Sequence, residues 1–356
     1  MKKRKSILEM DVLYTLLAIV IGFVIGAIFL AAAGVSPAVA YGKLIDGVFG
    51  KFKFIVWTLV YASPLIFTGL SVAFSFRTGV FNIGAEGQFV VGTLAACIVG
   101  VLVKLPPVIH AIVCMVVAAA AGFLWSYIVG LLKVKRGIHE VLSFIMFNWI
   151  AFYLSNYAVN TEILHKEGEG EATKNVLDSA RILFPEGILN ATGCNAANWG
   201  FIFAVIAAIA IWVIIEKTTL GYKLKAVGYN KDAATYGGID ANKSILTALG
   251  ISGALAGLGG AVQLLGMSAR ISQFAGQEGY GFNGITVALI AGSNPLGCIL
   301  SGIFYGALSY GGSKLTMVGA PAEIIDIIMG LVVVFIAISQ VFKSLLTKLA
   351  KRKEAK

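Results

Sequence analysis

The sequence predicts an all-α, polytopic membrane protein of about ten transmembrane segments, one of them broken or re-entrant, with both termini in the cytoplasm. Three observations lead there. Of 356 residues, 58% are hydrophobic and 13% are charged, against a charged share of about 25% in soluble domains. The mean hydropathy is +0.88. The charges sit in short bands, at 2–5, 133–136, 217–231 and 343–353, with apolar runs between them. So few charges cannot clothe a water-soluble surface, so lipid is the solvent for most of the chain. The net charge of +10 does not indicate nucleic acid, because a nucleic-acid domain gathers its basic residues on one soluble face.

The segments are expected at 12–33, 54–74, 83–103, 107–131, 140–160, 199–215, 243–266, 283–293, 297–313 and 323–342. The basic start and Ala38-Val39-Ala40 imitate a secretory signal. However, the apolar run of 22 residues exceeds the roughly 7–15 of such a signal and spans a core of about 30 Å, so it reads as a retained first helix. The eighth segment is too short to cross alone, and Gly292-Ser293-Asn294-Pro295 breaks it from the ninth. With the N-terminus inside, cytoplasmic segments hold 19 of the 28 basic residues, which fits an N-in, C-in arrangement.

The whole of 1–356 reads as a single transmembrane domain carrying two polar excursions. The extracytoplasmic loop 161–198 bears Glu162, Glu167, Glu169, Glu171, Asp178 and Glu186; it is either a docking surface or a solvated excursion. The cytoplasmic loop 216–243 contains Asn230, a good N-cap, Asp232 in the favourable first turn, and Gly237-Gly238 as a terminator. A short helix over 231–236 follows, suited to being gripped by another protein.

No catalytic constellation and no metal-ligating cluster emerges. The chain lacks a G-x-x-x-x-G-K-[ST] phosphate loop, and its three histidines, His110, His139 and His165, lie in separate segments. Gly250-Ile251-Ser252-Gly253 imitates the motif of intramembrane serine proteases, but no histidine follows His165, so Ser252 reads as a packing residue. Gly250, Gly253, Gly257 and Gly260 share one helix face, which admits a close neighbour. Cys97, Cys114, Cys194 and Cys298 read as small packing residues, with no metal spacing or disulfide framework.

Polar residues inside apolar segments are costly and therefore informative. Asn82, Glu86 and Gln88 open the third span among Gly79, Gly84 and Gly87. Glu86 reads as a partner for Arg77 or for backbone donors, with a place in the solute path as the alternative. Asn148, Asn156 and Gln263 either line a polar path or hydrogen-bond between helices. Glu323 and Asp326 follow Pro321 and read as acids at a helix start.

These residues also carry a family resemblance. The stretch Phe76-Arg77-Thr78-Gly79-Val80-Phe81-Asn82-Ile83-Gly84-Ala85-Glu86-Gly87-Gln88 resembles the signature of ABC importer permeases of the ribose, branched-chain amino acid and nucleoside group. The inner loop is similar to that group's coupling segment, through Gly221, Lys225, Ala226, Gly228, Asn230, Ala233, Ala234, Gly238 and Ile239. A third match is Gly279-Tyr280-Gly281-Phe282-Asn283-Gly284-Ile285. Lys225 stands where arginine is common, keeping charge but not the forked donor geometry. The form F-N-I-G-x-E-G-Q and the long outer loop look most like nucleoside-uptake permeases. The resemblance implies a bacterial cytoplasmic-membrane permease with no cofactor of its own, ATP being bound by partner ATPase subunits. It also implies a second permease chain and an extracytoplasmic substrate-binding lipoprotein as partners. Lys225, Asn230, Asp232, Ala233, Ala234, Gly238 and Ile239 would couple to the ATPase. Asn82, Glu86, Gln88, Asn148 and Gln263 would line or support the pathway.

Overall fold

The first apolar run ends where its chemistry says it should. A computed structural model describes residues 11–338, apart from 167, 169, 322, 333 and 337. Helix α1 covers Asp11–Ala32 and stops at Gly34, whose φ of 78° is open to glycine without cost. The amide of Val35 closes the end by donating to the Leu30 carbonyl at 3.0 Å. Pro37, pre-set for a first helical turn, then opens α2 over Pro37–Phe49, and the two axes meet at 119°. The sequence reading passed over α2, since its lysine and aspartate dilute the apolar signal.

Two compact units divide the chain. The first comprises 1–51 and 307–356. Within it α1 lies against the helical residues that begin at 323, and Gly22 and Gly26 leave room for Val332 and Ile328. The part of the last expected segment beyond 338, and the basic clusters at 2–5 and 343–353, lie outside the described residues.

The second unit, 52–306, holds α3 (Phe52–Phe76), α4 (Ala85–Leu102), α5 (Ile109–Arg136), α6 (Glu140–Val159), α7 (Glu186–Thr192), α8 (Gly200–Lys217), α9 (Thr219–Tyr229), α10 (Lys231–Tyr236), α11 (Ala241–Gln263) and α12 (Tyr280–Ile290). Helix α13 (Pro295–Gly312) begins in this unit. Helix α11 is the centre, packing on α3, α4 and α5. The glycine face makes that possible: a Cβ on Gly253 or Gly257 would meet the carbonyl oxygen of Gly122 or Ala118 on α5. Ser252 is fully buried and donates to the Ser71 carbonyl at 2.7 Å, so it is a packing residue. The four cysteines are likewise buried and free.

By length and composition, six of the described helices can each cross a membrane, or seven if the α1–α2 pair counts as one span. The sequence reading of ten is not reached. Helix α12 has only 11 residues, about 16 Å of rise, and α13 and the stretch from 323 do not stand among the six. The chain is thus a helical, multi-pass membrane protein with no strands among its described residues, only isolated bridges.

The loop 161–198 is tied to the body of the protein along its backbone. Its backbone is laced to the segment after α11: Thr173 donates to Ile271 at 2.9 Å, Val176 to Ala269 at 2.8 Å, and Gln273 donates back to Glu171 at 2.8 Å. Glu162, Glu171, Asp178 and Glu186 remain exposed.

Because α5 and α11 touch backbone to backbone, side chains at the contact have nowhere to go. Gly253→Leu should lower the thermal midpoint and the monodisperse yield of the purified chain, an overpacking cost of about 1–3 kcal/mol or more. Gly42→Ala, in α2 where nothing lies within 4 Å and the backbone is helical, should be milder. Equal behaviour of the two in a detergent thermal-shift assay would contradict the packing.

Candidate functional site

Helix α12 leaves backbone groups unpaired at its ends, as every helix does, and its first turn is packed closely against α4 at Gly281. The segment following α3 supplies acceptors at the N-terminal end, whereas the last carbonyls of α12 are met by the amides of Ala291, Gly292 and Ser293 and by the Ser301 hydroxyl. Glu86, 1% exposed, accepts from the Gly279 amide on one carboxylate oxygen and from the Gly281 amide on the other, each at 2.7 Å. An anion there meets the positive end of the helix dipole. At the far end the Arg77 Nε donates to the Ser293 carbonyl at 3.1 Å, a cation at the negative end. Of the sequence alternatives for Glu86, backbone donors are realised. Arg77 is not its partner, because the two charges serve opposite termini of the same helix. Close fit supports the arrangement, since a Cβ on Gly281 would strike the Glu86 backbone.

The turn between Arg77 and Glu86 is stitched by amides. Asn82 and Gln88 form a reciprocal pair, each donating to the other at 2.9 Å. Asn82 also donates to Ser252 Oγ at 2.6 Å and accepts from the Gly84 amide at 3.0 Å. Asn148 on α6 accepts from the Gly87 amide at 2.9 Å and donates to the Ile83 carbonyl at 3.1 Å. Asn82 and Gln88 are fully buried and Asn148 nearly so. Asn82, Glu86, Gln88 and Asn148 therefore form one brace.

Gln263 belongs to a different place. It ends α11, where the helix widens into a π turn over Leu264–Ser268, and Ala269 follows in the left-handed region at φ 60°. Such turns often mark functional sites. Gln263 helps line a cavity of about 190 Å³ with Thr93, Arg270, Phe274 and Glu278. Asn156 is not on that lining: its amide grips the Phe274 backbone, donating to the carbonyl at 3.0 Å and accepting from the N–H at 2.9 Å.

The 216–243 loop holds two helices where the sequence predicted one. Thr218 caps α9 by accepting from Gly221 at 3.2 Å, and Asn230 caps α10 by accepting from Ala233 at 2.9 Å. The predicted 231–236 helix is realised in full. Gly238, at φ 80°, turns the chain so that Ile239 donates to the Ala234 carbonyl at 2.9 Å. Ala234 is buried with Val227, Ile245 and Leu249, and Ile239 packs against them. Lys231, Asp232, Ala233 and Tyr236 point outward, Tyr236 being 97% exposed. Lys225 is paired with Glu216 at 3.0 Å. Outside the membrane spans, Asp240 caps α11 through the Lys243 amide, which holds its carboxyl below the usual range.

Residues 54–337 match the family described as "Branched-chain amino acid transport system / permease component". The chain belongs to that family. Similar proteins include the guanosine ABC transporter permease protein NupP of Bacillus subtilis, 38% identical over 96% of this chain and 97% of that protein. The nucleoside ABC transporter permease protein NupB of Lactococcus lactis is 33% identical over 95% and 93%. The glucose ABC transporter permease protein TsgB13 of Haloferax volcanii is 31% identical over 92% and 87%. No solved structure matches. A permease of this family is a transport component and no enzyme, which agrees with the absence of a catalytic constellation in the sequence.

Within the permease, sequence reasoning missed Ser71, Tyr305 and Phe274, and it named Asn283 only as part of the third match. Tyr305 donates to Asn283 at 2.8 Å and ties α13 to α12. Nothing but spacing across distant segments could have signalled that pair.

The Glu86 contacts make a quantitative expectation. Glu86→Ala strands two buried N–H groups and should cost about 2–4 kcal/mol. Glu86→Gln keeps one acceptor and should cost less. Unfolding of the purified permease in mixed micelles measures both, and an alanine variant with an unchanged midpoint would rule out the clamp.

Proposed function

We propose that this permease is the transmembrane subunit of an ABC importer that moves nucleosides across the bacterial cytoplasmic membrane by alternating access. The single observation carrying the reading is near-full-length similarity to two permeases named for guanosine and nucleosides, at 38% and 33% identity. The substrate-binding lipoprotein delivers solute to the outer face, where the exposed acids of 161–198 face it. ATP is bound and hydrolysed by partner ATPase subunits, and a second permease chain completes the pathway. The chain adopts an N-in, C-in arrangement of about ten crossings, the broken eighth included. That places the 216–243 loop and the basic end of α5, with Lys133, Lys135 and Arg136 in its last turn, in the cytoplasm.

In this reading α10 is the coupling helix. Ala234 and Ile239 seat it on the bundle, while Lys231, Asp232, Ala233 and Tyr236 meet the ATPase. Asn230 and Gly238 set its ends, and Lys225 braces α9. The brace of Asn82, Glu86, Gln88 and Asn148 supports the pathway, and Gln263 lines it. A sugar importer is the second reading, favoured by the glucose permease at 31% identity.

Two experiments bear on this. Cells with and without the chain, given labelled nucleosides, leucine, ribose and glucose, should differ in vanadate-sensitive nucleoside uptake. Uptake that survives loss of the ATPase but collapses with the ion gradient would refute an ABC importer, and dependence confined to glucose or ribose would establish the sugar reading. Separately, Gly238→Leu, or bulky residues in place of Asp232-Ala233-Ala234, should abolish uptake with membrane insertion intact, because leucine at φ 80° is strained. Normal transport by both variants would remove α10 from the coupling role.

A further inference from the structure

The cavity beside Gln263 has features that the brace and the coupling helix do not use. Glu278 lines it, and its Oε2 atom is buried without a hydrogen-bond partner. A buried acceptor left unpaired is costly unless something arrives to donate to it. Phe274 lines it too, and Asn156 fixes that residue by both its backbone N–H and carbonyl. Behind Phe274 lies an aromatic floor: Phe89 and Tyr280 stack at 5.0 Å, and both Phe274 and Tyr280 pack on the Phe89 cluster. The rest of the lining is mostly polar, with Thr93, Gln263, Gln273 and the cation of Arg270 beside the apolar Ile271. Ser272 and Gln273 are exposed, so the cavity is reachable from the side where the 161–198 loop lies. At about 190 Å³, below the roughly 300–1,000 Å³ that encloses a drug-sized ligand, it takes part of a nucleoside, with the remainder at the exposed mouth by Ser272 and Gln273.

We infer that this cavity is the permease's own recognition site for a nucleoside, with the base against Phe274 and an N–H or O–H of the nucleoside donating to Glu278 Oε2. The inference rests on the nucleoside-importer reading and adds where, and by which residues, the solute is held. An aliphatic amino acid would leave the Phe274 ring, which is stacked on Phe152, and the polar wall unused, and a free sugar would use the wall without the ring. A nucleoside uses both. Each contact is lost separately, because ring and carboxylate recognise different parts of the solute.

The test uses the complete importer in proteoliposomes, with adenosine as the labelled solute. Phe274→Ala and Glu278→Leu should each raise the KM for adenosine about tenfold or more, the size of a lost stacking or charged hydrogen-bond contact. ATP hydrolysis stimulated by the loaded binding protein should persist. Phe274→Trp and Glu278→Gln, which keep a ring and an acceptor, should stay near wild type. A reporter independent of these variants is Ser272→Cys, readable because Cys97, Cys114, Cys194 and Cys298 are all buried. Adenosine should slow its modification by a water-soluble thiol reagent, and adenine or ribose alone should do so less. Wild-type KM in both Phe274→Ala and Glu278→Leu would overturn the inference, as would labelling indifferent to adenosine. If the wild-type importer carries no adenosine but carries glucose, the functional reading itself fails, and that outcome is distinct from either.

Discussion

A helix of 11 residues is too short to cross a membrane alone, and the permease fixes the chain at each of its ends with a charged residue from one short segment. Glu86 closes the N-terminus of α12 through Gly279 and Gly281, and Arg77 reaches the carbonyl of Ser293 beyond its C-terminus. Both lie on the chain that leaves α3 and enters α4. The position of α12 is therefore set by the 77–86 turn, and the amides of Asn82, Gln88 and Asn148 exist to hold that turn in one shape. A broken span is tolerated in a membrane only where such partners are built in.

The same turn touches α9. A Cβ on Gly228, near the end of α9, would collide with the Arg77 carbonyl, and Gly79 lies against Gly228 at φ 72°. From α10 through α9 to Arg77, and from Glu86 to Gly279 and the cavity beside Glu278, the contacts are continuous. Continuity alone is not coupling. It runs through the 77–86 turn and leaves aside the α5–α11 core, where backbones are already in contact.

Much of this was legible from the chain alone, and the reasons differ by element. Composition and banded charge predicted a helical membrane protein because lipid permits little else. Local chemistry placed α10 over 231–236, since Asn230 and Gly238 are caps that act within a few residues. Helix α2 was missed because its 13 residues, with Lys43 and Asp46 among them, are too short and too polar to read as an apolar span. The role of Glu86 stayed open because its partners lie 193 and 195 residues away. Asn82, Gln88 and Asn148 were singled out correctly as unusual, yet only the fold brings them into one network and leaves Gln263 apart from it. Phe274 gave no signal at all, since its meaning comes from a clamp by Asn156.

The central claim is that the Glu86 carboxylate holds the first amides of α12. Those amides belong to a helical turn that ordinarily lacks acceptors, so amide hydrogen exchange over 278–282 reads the clamp directly. Slow exchange in the intact permease and fast exchange in Glu86→Ala, with α5 and α11 equally protected in both, is the result this account predicts. Fast exchange of the Gly279 and Gly281 amides in the unaltered chain would contradict it.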